Sequence, residues 1–168
     1  MKNTVFIIAV KNDGQLKPEY EISIESWKRW CSKNDTQMFL LKEPLVPMDE
    51  MHIIWQRYFM FDIFDSNEIE SNQTLIVDLR GMEHYSKYVY DGAWFDFWKY
   101  GNSGFQIVNN THREFFDYMR EFYFENNEII RSIQDNYGIG TDQTPLNYNL
   151  TLKNIPVKLL SYKYNMTC

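Results

Sequence analysis

The sequence predicts an α/β fold with a doubly wound, mostly parallel sheet, and three observations carry that prediction. Val5 to Val10 is a continuous apolar run rich in β-branched residues, the pattern of a strand buried on both faces by covering helices. Strand-like and helix-like segments then alternate, which calls for parallel strands joined by right-handed crossovers. The chain has 168 residues, enough for one domain, so a single unit spanning 1–168 is expected.

After the first strand comes the turn-like Asn12-Asp13-Gly14. Pro18 is suited to a helix start, and Tyr20, Ile24, Trp27 and Cys31 recur at helical spacing behind it. Met38 to Leu41 reads as a second strand, closed by Pro44 and Pro47. From Met51 to Phe64 apolar residues occur nearly all round, the mark of a well-buried helix. Thr74 to Val77 makes a third strand running straight into Asp78. Ligands of such sheets sit outside the carboxyl ends of the strands, where Asp13 and Asp78 both fall.

The aromatic stretch from Tyr85 to Trp98 has no clean period, and residues 80–101 read as irregular surface structure. Phe105 to Val108 is the next strand. Thr111-x-x-Glu114 matches a capping box, and Phe115, Met119, Phe122, Ile129, Ile133 and Tyr137 carry one helical stripe after it. Gly138-Ile139-Gly140 ends that helix. A short helix opens at Asp142-Gln143-Thr144-Pro145, and Val157 to Leu160 forms a last strand.

Charge and motif content narrow the functional classes. Seventeen Lys and Arg face 23 Asp and Glu, a formal net charge of −6, the wrong sign for a general nucleic-acid binder. Cys31 and Cys168 are too few for a disulfide framework and are read as free thiols. No Gly-x-Gly-x-x-Gly or Gly-x4-Gly-Lys-Ser/Thr follows the first strand, which disfavours dinucleotide and P-loop sites. The apolar start of the chain is followed by Lys11-Asn12-Asp13-Gly14 and not by a small-residue cleavage site, and no apolar run approaches the roughly 18 residues that span a bilayer. A cytoplasmic location without a transmembrane segment is the expectation.

Gly140-Thr141-Asp142-Gln143-Thr144-Pro145-Leu146-Asn147 resembles the "DQ…LN" segment of GT-A type glycosyltransferases, which move a sugar from a nucleotide-diphosphate donor to an acceptor. Three more segments agree in order: Thr74 to Asp78, Asn102 to Asn109, and Val157 to Leu160 with Tyr164-Asn165. The resemblance implies a three-layer αβα sandwich with a Rossmann-like central sheet, whose strand ends take up a nucleotide sugar and present it to a carbohydrate or other hydroxyl acceptor. It implies Asp142 and Gln143 at the reacting centre, Asn102, Ser103 and Gly104 against the donor sugar, and Asp78, Arg80 and Arg57 around the diphosphate. A carboxylate there can orient or deprotonate the acceptor hydroxyl, cations stabilise the departing diphosphate, and Gly104 lets backbone come close.

This chain departs from the family after the third strand. The family's Asp-x-Asp, which holds Mn or Mg on the diphosphate, is here Asp78-Leu79-Arg80, so a hard oxygen ligand is replaced by a cation. Asp78 is the one metal ligand the motif retains. The chain reads as a shortened version of the fold, as though an insert after the motif were missing, and it ends before the C-terminal metal-binding His expected from the family. Arg80 then either replaces the metal as counter-charge, or the domain is a catalytically degenerate remnant that binds carbohydrate or protein, with the aromatic stretch from Tyr88 to Trp98 as its surface. Each site residue also has a plain structural reading. Asp142 suits a helix start through capping and the helix dipole, Arg57 suits a snorkelling position at a helix edge, and Trp55 and Tyr58 suit the core. His52, His84 and His112 are too scattered for a metal site, and Cys31 falls on the buried face of its helix.

Overall fold

The protein is represented by a computed structural model in which residues 2–11, 14–78, 103–137 and 142–158 are described. Among the described residues four strands form one sheet: β1 (Lys2–Ile8), β2 (Gln37–Leu41), β3 (Ser71–Asp78) and β4 (Phe105–Val108), in the order β2-β1-β3-β4. β1 lies parallel to both β2 and β3, with Phe6 opposite Phe39 on one side and Ile76 on the other. β4 runs antiparallel to β3, pairing Val77 with Phe105. The sheet is therefore mostly parallel, as expected, with one reversed edge strand.

Side-chain alternation along β1 divides the core into two layers. Val5, Ile7 and Ala9 join Ile24 and Cys31 of α1 (Pro18–Lys33) and Val77 of β3. Phe6, Ile8 and Val10 face the opposite way, into a larger cluster that includes Trp55, Tyr58, Phe64, Phe116 and Tyr123. Helices thus cover both faces, which completes the three-layer arrangement. α1 starts with Pro18, carries Glu19 and Glu21 in its first turn and ends on Lys33, charges placed to suit the helix dipole.

The single helix expected from Met51 to Phe64 is two elements. Ile53–Phe59 is a 3-10 helix and Met60–Ser66 is α2. Ile53 and Ile54 are β-branched and Trp55 is aromatic, all weak α-helix formers, and packing decides their conformation. Gln56 anchors the segment: its Oε1 accepts from the amides of Leu45 (2.6 Å) and Val46 (3.2 Å), and its Nε2 donates to the carbonyls of Val46 (2.8 Å) and Met51 (3.0 Å).

The long stripe expected behind Thr111 is also divided, into α3 (Arg113–Glu125) and α4 (Asn127–Tyr137). Asn126 separates them, its amide returning to the carbonyls of Phe122 and Tyr123. Ile130 is buried, whereas Ile129 and Ile133 of the expected stripe are 62% and 42% exposed. The capping box sits two residues earlier than expected, between Asn109 and His112 around a short 3-10 turn. Arg113 pairs with Asp65 at 2.9 Å and Arg120 with Asp62, fastening α3 to α2. α5 (Gln143–Leu152) matches the expected short helix. Val157 and Lys158 lie outside any strand, a correction to the expected last strand, and Leu159 and Leu160 are outside the described residues. Among the described residues no helix is long and apolar enough to cross a membrane.

Candidate functional site

The carboxyl edge of the parallel strands is where a ligand of this fold is expected. Ile8 of β1 and Asp78 of β3 are paired at that edge. Because β4 is antiparallel, it brings its beginning to the same place: Phe105 pairs with Val77, and the Ser103-Gly104 turn lies just beyond. The 3-10 helix contributes Arg57 and the head of α5 contributes Asp142 and Gln143.

These segments close on a single residue, Ser103. Its hydroxyl donates to Asp142 Oδ1 at 2.8 Å, and its amide donates to Gln143 Oε1 at 3.3 Å. Its carbonyl accepts from Arg57 Nη1 and from Gln106 Nε2, the latter at 2.8 Å. Arg57 Nε lies 2.9 Å from the Ile54 carbonyl and 3.3 Å from Asp142 Oδ2. Four of the residues expected at the site, Arg57, Ser103, Asp142 and Gln143, are therefore in one cluster, with Gly104 adjoining it.

Burial sets the electrostatics of this cluster. Arg57 is 0% and Asp142 1% exposed, so each charge needs the other to offset its loss of water. Arg57 is not the snorkelling edge residue the sequence admitted; every residue from Ile53 to Tyr58 is buried, so its guanidinium has no water to reach. Asp142 stands at the start of α5 without capping it by side chain, because its carboxylate turns to Ser103 and Arg57. Burial, and after it the Asp142 charge, push the Tyr58 phenol well above its usual range, with Arg57 pulling the other way. Asn147, buried one turn into α5, donates to the Gln143 carbonyl at 2.8 Å and steadies the helix head.

β3 ends at Asp78 as expected, while the side chain of Asp78 and all of Asp13, Arg80, Asn102 and the aromatic stretch from Tyr88 to Trp98 lie outside the described residues. Among the described residues no three His, Cys, Asp or Glu side chains gather to hold a metal ion. Asp142 does not fit the part of a hard oxygen ligand for Mn or Mg, since one oxygen takes the Ser103 hydroxyl and the other faces a guanidinium. His52 and His112 are spent on caps, their Nδ1 atoms accepting from the amides of Ile54 and Asn109. Cys31 is buried, its thiol pushed up by desolvation. Trp55 and Tyr58 are core residues, as read. The sequence reading missed the contact of Tyr58 with Asp142 and the central place of Ser103. The sign available for the first was the polar Gln56-Arg57-Tyr58 triplet inside a mostly apolar run.

The sequence matches no protein-family model and no curated protein. Its structure is similar to the crystal structure of a glycosyltransferase involved in the glycosylation of the major capsid of PBCV-1, with a TM-score of 0.51 and 13% sequence identity. The match covers 92% of this chain and 79% of the other. The chain has the α/β fold of a glycosyltransferase, with helices on both faces of a mostly parallel sheet.

Proposed function

We propose that this chain is a single glycosyltransferase-like domain of the cytoplasm, which binds a nucleotide-diphosphate sugar at the carboxyl edge of its sheet and transfers the sugar to a hydroxyl acceptor. The observation that carries this reading is the glycosyltransferase likeness over 92% of the chain, with Ser103, Asp142 and Gln143 converging at the edge where such a fold takes its ligand. In the reaction the acceptor oxygen forms a bond to the anomeric carbon while the bond from that carbon to the diphosphate breaks. The nucleoside diphosphate leaves with the electron pair, and the acceptor proton passes to a base. Asp142 and Gln143 stand at the reacting centre: the half-buried Gln143 amide faces the donor sugar, and the Asp142 carboxylate orients the acceptor side through Ser103. Asn102 and Gly104 approach the sugar, and Asp78 and Arg80 the diphosphate. Arg80 supplies positive charge where a metal-bound Asp-x-Asp would otherwise act.

A second reading is a non-catalytic domain that keeps the fold and binds carbohydrate or protein. The burial of Asp142 at 1% exposure favours it, since a base that takes a proton from an acceptor must reach that acceptor. A thermal-shift titration with UDP, GDP, CDP and dTDP and their sugars, each with and without manganese, separates the two. Binding to the native state alone raises the melting temperature. Stabilisation by one nucleotide, equal with and without manganese, is expected for a donor site in which Arg80 has taken the metal's place. Cooperative melting that no nucleotide shifts would overturn the transferase reading.

A further inference from the structure

Arg57 stands between three segments that are distant in the sequence. Its guanidinium is wholly buried and touches the carbonyl of Ile54 on its own helix, the carbonyl of Ser103 before β4, and the carboxylate of Asp142 at the head of α5. A guanidinium presents its donors in a rigid planar fork, so one that is gripped on several edges fixes the relative positions of whatever it grips. Ser103 is held by every polar atom it has: hydroxyl, amide and carbonyl. A loop residue held only for its backbone would need no hydroxyl partner, and for stability alone apolar side chains of similar size would serve as well as the buried Arg57–Asp142 pair.

We propose that Arg57 is a positioning residue: it holds Asp142 and Ser103 together, and so fixes the Ser103-Gly104 turn and the head of α5 against each other at the carboxyl edge of the sheet. Arg57 thereby acts on a donor through Ser103 and Asp142, without touching the diphosphate itself. The relevance of this clasp to nucleotide-sugar binding rests on the function proposed above; the clasp as a local coupling does not.

The test uses the full chain and two variants. Arg57→Lys keeps the charge but cannot reach both Ser103 and Asp142 with a planar fork. Ser103→Ala removes only the hydroxyl that donates to Asp142, the direct bond within the clasp, and stands in should the first variant fail to fold. Amide hydrogen exchange is followed by mass spectrometry in both variants and in the wild type. Positioning predicts that exchange at residues 103–105 and 142–147 quickens at least tenfold more than at the β1 and β3 amides. Exchange that is unaltered at those two segments, or that quickens uniformly through the chain, overturns the proposal, since a merely stabilising residue acts through global unfolding. In parallel, the wild type and Arg57→Lys are titrated with the same nucleoside diphosphates. If the wild type binds one of them, Arg57→Lys should weaken it at least fivefold, and an unchanged affinity overturns the positioning role. If the wild type binds none, the transferase reading fails, and the exchange data alone decide whether the clasp exists.

Discussion

Asp142→Asn is nearly isosteric and removes only the charge that offsets Arg57. The structure gives the size of the effect. The pair is 3.3 Å apart with both members almost completely buried, so the substitution leaves a guanidinium without its anion in the interior. Breaking a buried pair from one side costs about 3–5 kcal/mol. The Ser103 hydroxyl can still donate to the amide oxygen of Asn, but loss of the acceptor's charge removes roughly 1 kcal/mol more. Against the about 5–15 kcal/mol of a typical domain, this is a large share. Equilibrium urea unfolding reads it directly: with an m value of about 2 kcal/mol per molar, the midpoint should fall by roughly 2–3 M. Arg57→Met combined with Asp142→Leu removes both charges and should recover most of the loss, because apolar replacements of a buried pair are often neutral or better. A fall of less than about 0.5 M for Asp142→Asn, equivalent to about 1 kcal/mol, would refute the account of a sealed, mutually dependent pair.

Three further outcomes are expected. Tyr58 keeps its proton to a higher pH when folded than when unfolded, so its stabilising contribution is present below about pH 10 and is lost as pH rises beyond it. The stability advantage of the wild type over Tyr58→Phe, from urea unfolding at several pH values, should therefore shrink by up to about 1.4 kcal/mol per pH unit above 10, and a constant difference would contradict it. Phe116→Ala opens a cavity between Tyr58 and Phe61, whose rings lie 5.3 and 5.2 Å away, and should cost about 3–5 kcal/mol in the same assay. Asn109→Ala removes the acceptor for the Thr111 amide at 3.0 Å and should cost about 0.5–2 kcal/mol, whereas Thr111→Val, at the position the sequence marked as the cap, should cost less.

What was legible in the sequence was what local pattern determines. The β-branched run at Val5 to Val10, the spacing from Tyr20 to Cys31 and Pro145 in the first turn of α5 each state their own structure. Side-chain alternation along β1 even distributes the core between the two helical layers. Pairing direction was not legible, because a run as short as Phe105 to Val108 reads the same parallel or antiparallel. The break at Asn126 was hidden by its neighbours: Tyr123 and Ile130 are seven residues apart, so the apolar period continues through the turn and only the polar Glu125-Asn126-Asn127 marks it. The candidate site was legible as a set of residues but not as an arrangement. Resemblance brought Arg57, Ser103, Asp142 and Gln143 into one list, yet no sequence period joins residues 57, 103 and 142. That the first and last are sealed together follows from tertiary packing alone.

The central claim is that a nucleotide-diphosphate sugar is taken up where the Ser103-Gly104 turn meets the head of α5. Its most direct test is amide hydrogen exchange of the wild-type chain with and without each nucleoside diphosphate at saturating concentration. The account predicts that one of them slows exchange at residues 103–106 and 142–147 and leaves α4 untouched. Slowing confined to α4 or to other distant segments, or no slowing with any nucleotide, would contradict it.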